Sequence, residues 1–150
     1  LLKSEPDVFS LEALKNCPNQ TEHWDGIRNY QARNLMRDEM QVGDRAFFYH
    51  SRQAEPAIVG TAKVVREAYP DHTSWDPTSK YFDEKSTPEN PRWLMVDVQF
   101  ESEFSRPVTL KELRSIPELN EMFLLRKGMR LSVQPVTEAE FQLILALAND

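Results

Sequence analysis

Short segments with the residue pattern of β-strands are interleaved with short capped helices, and this interleaving restricts the fold more than any other feature. Strand patterns, rich in aromatic and β-branched residues, cover Arg45–His50, Ile58–Glu67 and Trp93–Phe100. The order lacks the regular β-α-β rhythm of a doubly wound parallel sheet. Because several short strands need their edges closed, the sequence predicts one α+β domain over residues 1–150, built around a curved or barrel-like sheet.

Four helices are predicted from capping residues, whose side chains accept hydrogen bonds from the free amides of the first turn. Two of the caps are threonines followed three residues later by glutamate, the capping-box pattern. The second helix should reach Glu39, and the third should end near Ile116, before Pro117. A further short strand is predicted over Met129–Val133. The predicted caps are Ser10, Asn29, Thr109 and Thr137.

The segment from Pro70 to Arg92 is predicted to be a long loop. It combines four prolines with many Asp, Ser and Thr residues, a composition that disfavours regular structure. Loops of this length inside compact domains are uncommon and often functional. Trp75, Tyr81 and Phe82 indicate that parts of this loop pack against the domain.

The formal net charge of −6 argues against a protein that coats long nucleic acids, because such binding needs many lysine or arginine contacts to phosphates. Two stretches nevertheless carry basic residues and no acid, Gly26–Arg37 and Arg126–Arg130. They can form a local basic rim on an acidic body. The alternative is that both are ordinary solvated faces.

A single cysteine, Cys17, excludes an internal disulfide and a cysteine-based zinc site. This fits a reducing compartment, the cytoplasm or the nucleus. No apolar run approaches the roughly 18 residues of a membrane span, so no membrane association is expected. No cofactor and no metal site are predicted, since the three histidines include no His-x-x-x-His pair.

Three stretches carry residue types that packing alone does not explain. They are Lys3–Pro6, Trp24–Asn34 and Phe48–Ser51, and a weaker fourth is Leu131–Pro135. Each places short polar groups next to apolar or aromatic residues. Such stretches are candidates to carry the function.

These stretches resemble motifs of the EVE domain family. The resemblance runs in order through nearly the whole chain, and its segments are LLKSEPD (1–7), WDGIRNYQARN (24–34), GDRAFFYHS (43–51), VVREAYPD (64–71), ENPRWLMVDV (89–98) and LLRKGMRLSVQPV (124–136).

The resemblance implies a PUA-like fold, a compact β-barrel with helices around it. It also implies a reader of modified bases in DNA, or in RNA, and not an enzyme. The related YTH domains read methylated adenine, and there a tryptophan soon after an N-terminal Lys-Ser segment forms one wall of the methyl-base cage. Lys3-Ser4 followed by Trp24 has that arrangement, so the resemblance makes Trp24 the first choice for a cage wall.

A base reader needs flat aromatic walls and short polar groups between them, because a base presents two π-faces and one hydrogen-bonding edge. The predicted stacking residues are Trp24 with Tyr30 or Tyr49. The predicted partners of the base edge are Ser4, Glu5, Asp25, Asn29, Ser51, Ser132 and Gln134. The predicted phosphate contacts are Lys3, Arg28, Arg33, Lys127 and Arg130. The expected partner is nucleic acid with methylated or hydroxymethylated bases, DNA before RNA.

Structural roles remain open for several of these residues. Trp24 can be a core tryptophan, and Tyr30 and Tyr49 can be packing residues. Asp25 and Asn29 belong to types that favour caps and turns. Trp75 and Trp93 are interpreted as structural.

Two other functions are open. A small hydrolase acting on nucleotides would use His50 beside Ser51, but neighbouring residues on a strand point to opposite faces, and no Gly-x-Ser-x-Gly elbow is present. A protein-interaction module would bind its partner through the 70–92 loop. Neither explains the three polar and aromatic stretches as directly as a base reader does.

Overall fold

The computed structural model describes residues 1–149, so Asp150, the last residue of the predicted domain, lies outside the described residues. The described chain forms five strands and four α-helices. The strands are β1 (Leu2–Ser4), β2 (Thr21–Trp24), β3 (Arg45–His50), β4 (Ala57–Pro70) and β5 (Leu94–Thr109). The helices are α1 (Leu11–Lys15), α2 (Tyr30–Asp38), α3 (Leu110–Arg114) and α4 (Glu138–Ala148).

One mixed sheet with the strand order β1-β3-β4-β5-β2 forms the centre of the molecule. β1 runs parallel to β3, and the other neighbours are antiparallel. Trp24 on β2 and Phe48 on β3 have ring centroids 5.6 Å apart although two strands lie between them. In a flat sheet those strands would be about 14 Å apart. The sheet is therefore rolled, and the predicted α+β domain with a curved sheet is confirmed.

Register shifts along the β4–β5 pair accompany this curvature, because extra residues on one strand bend it and increase its twist. The register changes at four places between Ile58 and Tyr69. Gly60 lies in the first of these, where a Cβ atom would overlap the Ser102 carbonyl oxygen and come within 2.6 Å of the Leu11 side chain. Only glycine fits at this crossing.

Two apolar clusters cover the two faces of the sheet. Phe48 on β3 packs with Leu14 of α1 and Met36 of α2 in the first cluster. Its neighbours on β3, Phe47 and Tyr49, point the other way and pack with residues of α3 and α4 in the second. The period of two along β3 thus divides its aromatic residues between two cores.

The four predicted caps are confirmed, since each side chain accepts from a backbone amide of the first turn. Gly43 has the positive φ of 96° that its predicted turn requires. Within residues 1–149 none of the helices has both the length and the apolar character that crossing a bilayer needs.

Three predictions about elements differ from the structure. Met129–Val133 is not a strand: only Val133 pairs, through one isolated bridge with Leu2. α3 ends at Arg114, before the predicted Ile116. β4 and β5 extend past their predicted ends because polar residues such as Glu103 continue the ladder on a solvent-facing side.

Candidate functional site

A cavity of about 580 Å³ opens where the ends of β1 and β2 meet the 70–92 loop. This volume lies within the range of about 300–1,000 Å³ that is usual for small-ligand sites. Its lining combines aromatic rings, carboxylates, two lysines and two serines. The lining residues are Lys3, Ser4, Glu5, Val8, Phe9, Glu22, His23, Trp24, Asp25, Gly26, Ile27, Lys80, Tyr81 and Ser132.

Trp24 stands at the end of β2, where its backbone pairs with Val96 of β5. Its indole meets Phe9 at 6.1 Å and 73°, and Phe48 at 5.6 Å and 87°, so neither ring is stacked on it. The residue is only 8% exposed, yet it borders the cavity. Trp24 is therefore both a core residue and part of the cavity wall.

Gly26 brings a second aromatic ring to the same cavity. Its φ is +79°, and a Cβ atom there would lie 2.7 Å from carbons of the Tyr81 ring. The ring of Tyr81 thus packs directly on the Gly26 backbone, which requires glycine both for conformation and for space.

The buried Asp71 carboxylate fastens the 70–92 loop to the segment after β2. Its Oδ2 accepts from the Gly26 amide and from Arg28 Nη1, both at 3.0 Å. Arg28 Nε also donates to the Tyr81 carbonyl oxygen at 2.9 Å. Burial alone would raise the pKa of Asp71, but hydrogen bonds from Thr73, Gly26 and Arg28 lower it overall. This network fixes the position of Tyr81 at the cavity.

Three carboxylates and two lysines give the lining a slight excess of negative charge. Glu5 pairs with Arg52 at 2.9 Å. Burial raises the pKa of Asp25, an effect that His23 opposes and the nearby Asp71 reinforces. Burial lowers the pKa of Lys3. A lining of this composition suits an uncharged heterocycle with polar edges better than a phosphate group.

The structure brings together six residues predicted from the sequence. Trp24 is the predicted stacking residue among them, and Lys3 is the predicted phosphate contact. Ser4 donates through Oγ to the Phe9 carbonyl oxygen at 2.5 Å, which leaves only its lone pairs for a ligand. The six residues are Lys3, Ser4, Glu5, Trp24, Asp25 and Ser132.

Five of the predicted base-binding residues do not line this cavity. Tyr49 is 3% exposed and packs in the second apolar cluster, and Tyr30 stacks on Trp93 at 4.7 Å on the surface. Asn29 caps α2. Ser51 donates its backbone amide to Ser4. Gln134 is buried and donates through Nε2 to the Leu131 carbonyl oxygen at 2.8 Å.

The remaining predicted phosphate contacts also lie outside the lining. Arg28 is bound to Asp71 and Tyr81 as described. Arg33 donates to Asn34 and to the Arg92 carbonyl oxygen. Lys127 and Arg130 are exposed on either side of Gly128.

Several lining residues were not predicted as site residues from the sequence, among them Phe9, His23, Lys80 and Tyr81. Tyr81 lies in a loop without periodicity, and it reaches the cavity through a contact with a glycine 55 positions earlier. The feature of the sequence that could have indicated this contact was Gly26, a glycine within the Trp24–Asn34 stretch. His23 lies on β2, a strand of four residues that no pattern indicated.

The sequence profile of the EVE domain matches residues 1–147. Thymocyte nuclear protein 1 of Danio rerio is 47% identical over 100% of this chain and 71% of its own length. Thymocyte nuclear protein 1 of Homo sapiens is 45% identical over 98% of this chain and 72% of its own length.

Solved structures agree over nearly the whole chain. The DUF55 domain of human thymocyte nuclear protein 1 has a TM-score of 0.90 at 48% identity, covering 99% of this chain and 96% of that one. Human THYN1 protein in complex with DNA containing 5-methylcytosine has a TM-score of 0.93 at 44% identity, with the same two coverages of 99% and 96%. Both are consistent with the PUA-like α+β fold. The chain belongs to the EVE domain family.

Proposed function

We propose that the chain is a non-catalytic DNA-binding module that holds one methylated or hydroxymethylated cytosine in the cavity beside Trp24. The observation that carries this proposal is the composition of the cavity, in which Trp24, Phe9 and Tyr81 adjoin serine hydroxyls and carboxylates. The human relative bound to DNA containing 5-methylcytosine supports the choice of ligand. A cytoplasmic or nuclear location fits this partner.

Aromatic surface and polar edges would contribute differently to recognition. Stacking contributes about 1–3 kcal/mol per base but accepts every base. Burying the methyl group adds only about 0.8 kcal/mol. Further discrimination comes from polar groups that the wrong base leaves unpaired.

The base would have to leave the helix to reach this cavity. A paired base in a duplex is enclosed by its neighbours, so the target nucleotide is flipped out or already single-stranded. Lys3 and Lys80, which line the cavity, are our candidates for the phosphates on either side of that nucleotide. Arg28 is assigned to the loop network instead.

Titration with short DNA strands tests the proposal. The strands carry cytosine, 5-methylcytosine or 5-hydroxymethylcytosine at one position, as single strands and as duplexes, with RNA strands of the same sequence alongside. Tryptophan fluorescence follows binding, because Trp24 borders the cavity. We expect a modified DNA strand to bind at least about fivefold more tightly than its plain counterpart, the equivalent of about 1 kcal/mol. Equal affinities would refute modified-base recognition.

The two alternative functions, a hydrolase and a protein-interaction module, would require other groups to be free. For a hydrolase, His50 Nε2 would have to act as a base, but it already accepts from the Leu11 amide at 3.1 Å. For a protein-interaction module the 70–92 loop would have to be free, whereas Asp71 ties it to Gly26 and Arg28. Recovery of a protein partner that nuclease treatment leaves unchanged would favour the second alternative.

A further inference from the structure

Among the carboxylates of the cavity, Asp25 retains the most hydrogen-bonding capacity. Glu5 Oε1 is engaged by Arg52 at 2.9 Å. Glu22 Oε1 accepts from the His23 amide and lies 2.9 Å from its ring Nδ1. The Asp25 carboxylate accepts from its own backbone amide, and its contact with another residue is long, 3.5 Å from Oδ2 to His23 Nε2.

Its position in the chain places Asp25 between the contacts of two aromatic residues of the cavity, Trp24 and Tyr81. Trp24 precedes it directly, and Gly26, on which the Tyr81 ring packs, follows it. The Asp25 side chain is 28% exposed, and the residue lines the cavity. A flat ring entering beside Trp24 therefore meets a carboxylate at its edge.

We propose that Asp25 reads the exocyclic amino group of the bound base, so that the cavity accepts 5-methylcytosine and rejects thymine. This inference rests on the proposed function and specifies which edge of the base is recognised. Thymine carries the same 5-methyl group as 5-methylcytosine and stacks in the same way. The two bases differ at position 4, where cytosine has an amino donor and thymine a carbonyl acceptor, and at the neighbouring N3. A carboxylate accepts from the amino group and repels the carbonyl oxygen.

Ser4 supports the same selection. Because its hydroxyl proton is donated to the Phe9 carbonyl oxygen, Ser4 can only accept a hydrogen bond from a ligand. A base that brings donors to this part of the cavity is satisfied, and one that brings only acceptors leaves these partly buried acceptors unpaired.

The experiment compares strands that differ at a single base, 5-methylcytosine or thymine, on the wild-type protein and on Asp25→Asn. We expect the wild type to prefer 5-methylcytosine by about tenfold or more, within the discrimination that one good base contact provides. Asparagine can present either its oxygen or its amide nitrogen, so we expect the preference to fall below about threefold. Asp7→Asn makes the same change of charge at an exposed residue outside the lining and should keep the wild-type preference.

A second measurement needs no variant. A strand carrying 5-methyl-2-pyrimidinone, in which hydrogen replaces the 4-amino group, should bind the wild type about tenfold more weakly than the 5-methylcytosine strand. Equal binding of these two strands, or an undiminished preference in a folded Asp25→Asn protein, would overturn the role of Asp25 and leave modified-base recognition standing. Failure of the wild type to distinguish 5-methylcytosine from cytosine would instead overturn the proposed function.

Discussion

Tyr81 is the aromatic residue at the cavity whose removal should weaken binding without disturbing the core. It lies on the loop and is only half-buried, unlike Trp24. We expect Tyr81→Ala to weaken binding of a modified strand by about 5- to 150-fold, the equivalent of 1–3 kcal/mol of stacking. Phe82→Ala is the matched control, because Phe82 is the next aromatic residue of the same loop, is 44% exposed and does not line the cavity. Equal losses in the two variants, measured by fluorescence titration, would contradict a stacking role for Tyr81.

His50 links stability to pH through one hydrogen bond. Burial lowers its pKa, and its Nε2 accepts from the Leu11 amide, which a protonated ring cannot do. The unfolded chain therefore takes up the proton first as the pH falls. The stabilisation by neutral His50 is full above the unfolded pKa of about 6.5 and is lost as the pH falls toward the lower folded pKa.

The test compares the wild type with His50→Gln, whose amide oxygen can still accept from Leu11. Between pH 7 and pH 5, we expect the free energy of unfolding of the wild type to fall more steeply than that of the variant, by up to about 1.4 kcal/mol per pH unit. Urea unfolding at several pH values measures both slopes. Parallel slopes would show that His50 titrates alike in the folded and unfolded chain.

At the scale of elements, the pair Arg28–Asp71 holds the 70–92 loop against the segment that follows β2. The Asp71 side chain is fully buried, and that of Arg28 is 22% exposed. We expect Arg28→Ala to lower the free energy of unfolding by about 3 kcal/mol, because it leaves a buried carboxylate without its partner. Asp71→Asn and the double variant complete a cycle, for which we expect a coupling of about 1–3 kcal/mol. Denaturant unfolding measures all four proteins, and additive effects would contradict a direct pairing.

Gly60 limits what the β4–β5 pair can accept at its first register shift. A methyl group there meets the backbone of β5 and the side chain of Leu11, and backbone cannot move aside cheaply. We expect Gly60→Ala to cost about 3 kcal/mol of stability. Gly128→Ala is the comparison, since it has a positive φ of 74° but open space, and strain alone should cost about 1 kcal/mol. Thermal unfolding should rank the two variants in that order.

The elements that could be predicted from the sequence are those with a local cause. Ser10, Asn29, Thr109 and Thr137 cap their helices with their own side chains, and Gly43 forms its turn alone. β1 and β2 have three and four residues, too few for a pattern. They are strands because distant partners pair with them, as Leu2 does with Phe48.

The residues of the candidate site also divide into those that the sequence reveals locally and those that distant contacts place. The segment around Trp24 carries a compact motif that is visible in the sequence, although its strand forms by pairing with the distant β5. Tyr81 arrives only through the contacts of Asp71 with Gly26 and Arg28, more than forty residues away in the chain. Tyr49 has a residue type that suits a base stack, but the alternation along β3 turns it into the second core. The face of the sheet on which a side chain lies depends on which strands pair, and residue type alone does not reveal it.

On the scale of the whole molecule, the distribution of charge limits how the chain can hold a nucleic acid strand. The formal net charge is −6, and Arg28 and Arg33 donate their guanidinium hydrogens to groups of the protein. Among the predicted phosphate contacts and the residues that line the cavity, the basic side chains left for phosphates are Lys3, Lys80, Lys127 and Arg130. Affinity should therefore come mainly from the bound base.

With so few basic residues at the cavity, we expect a weak dependence of binding on salt. Each phosphate contact to a single strand contributes about −0.7 to the slope of log K against log salt concentration, so four contacts give a slope no steeper than about −3. Titrations of one modified strand between about 50 and 200 mM salt measure it. Lys80→Gln should make the slope shallower by about 0.7, because it removes one contact, and Lys111→Gln, on α3 away from the cavity, should leave it unchanged. A wild-type slope of about −5 or steeper would mean that a row of basic residues on this acidic protein contacts the strand. Phosphate contacts, and not the base, would then dominate the affinity.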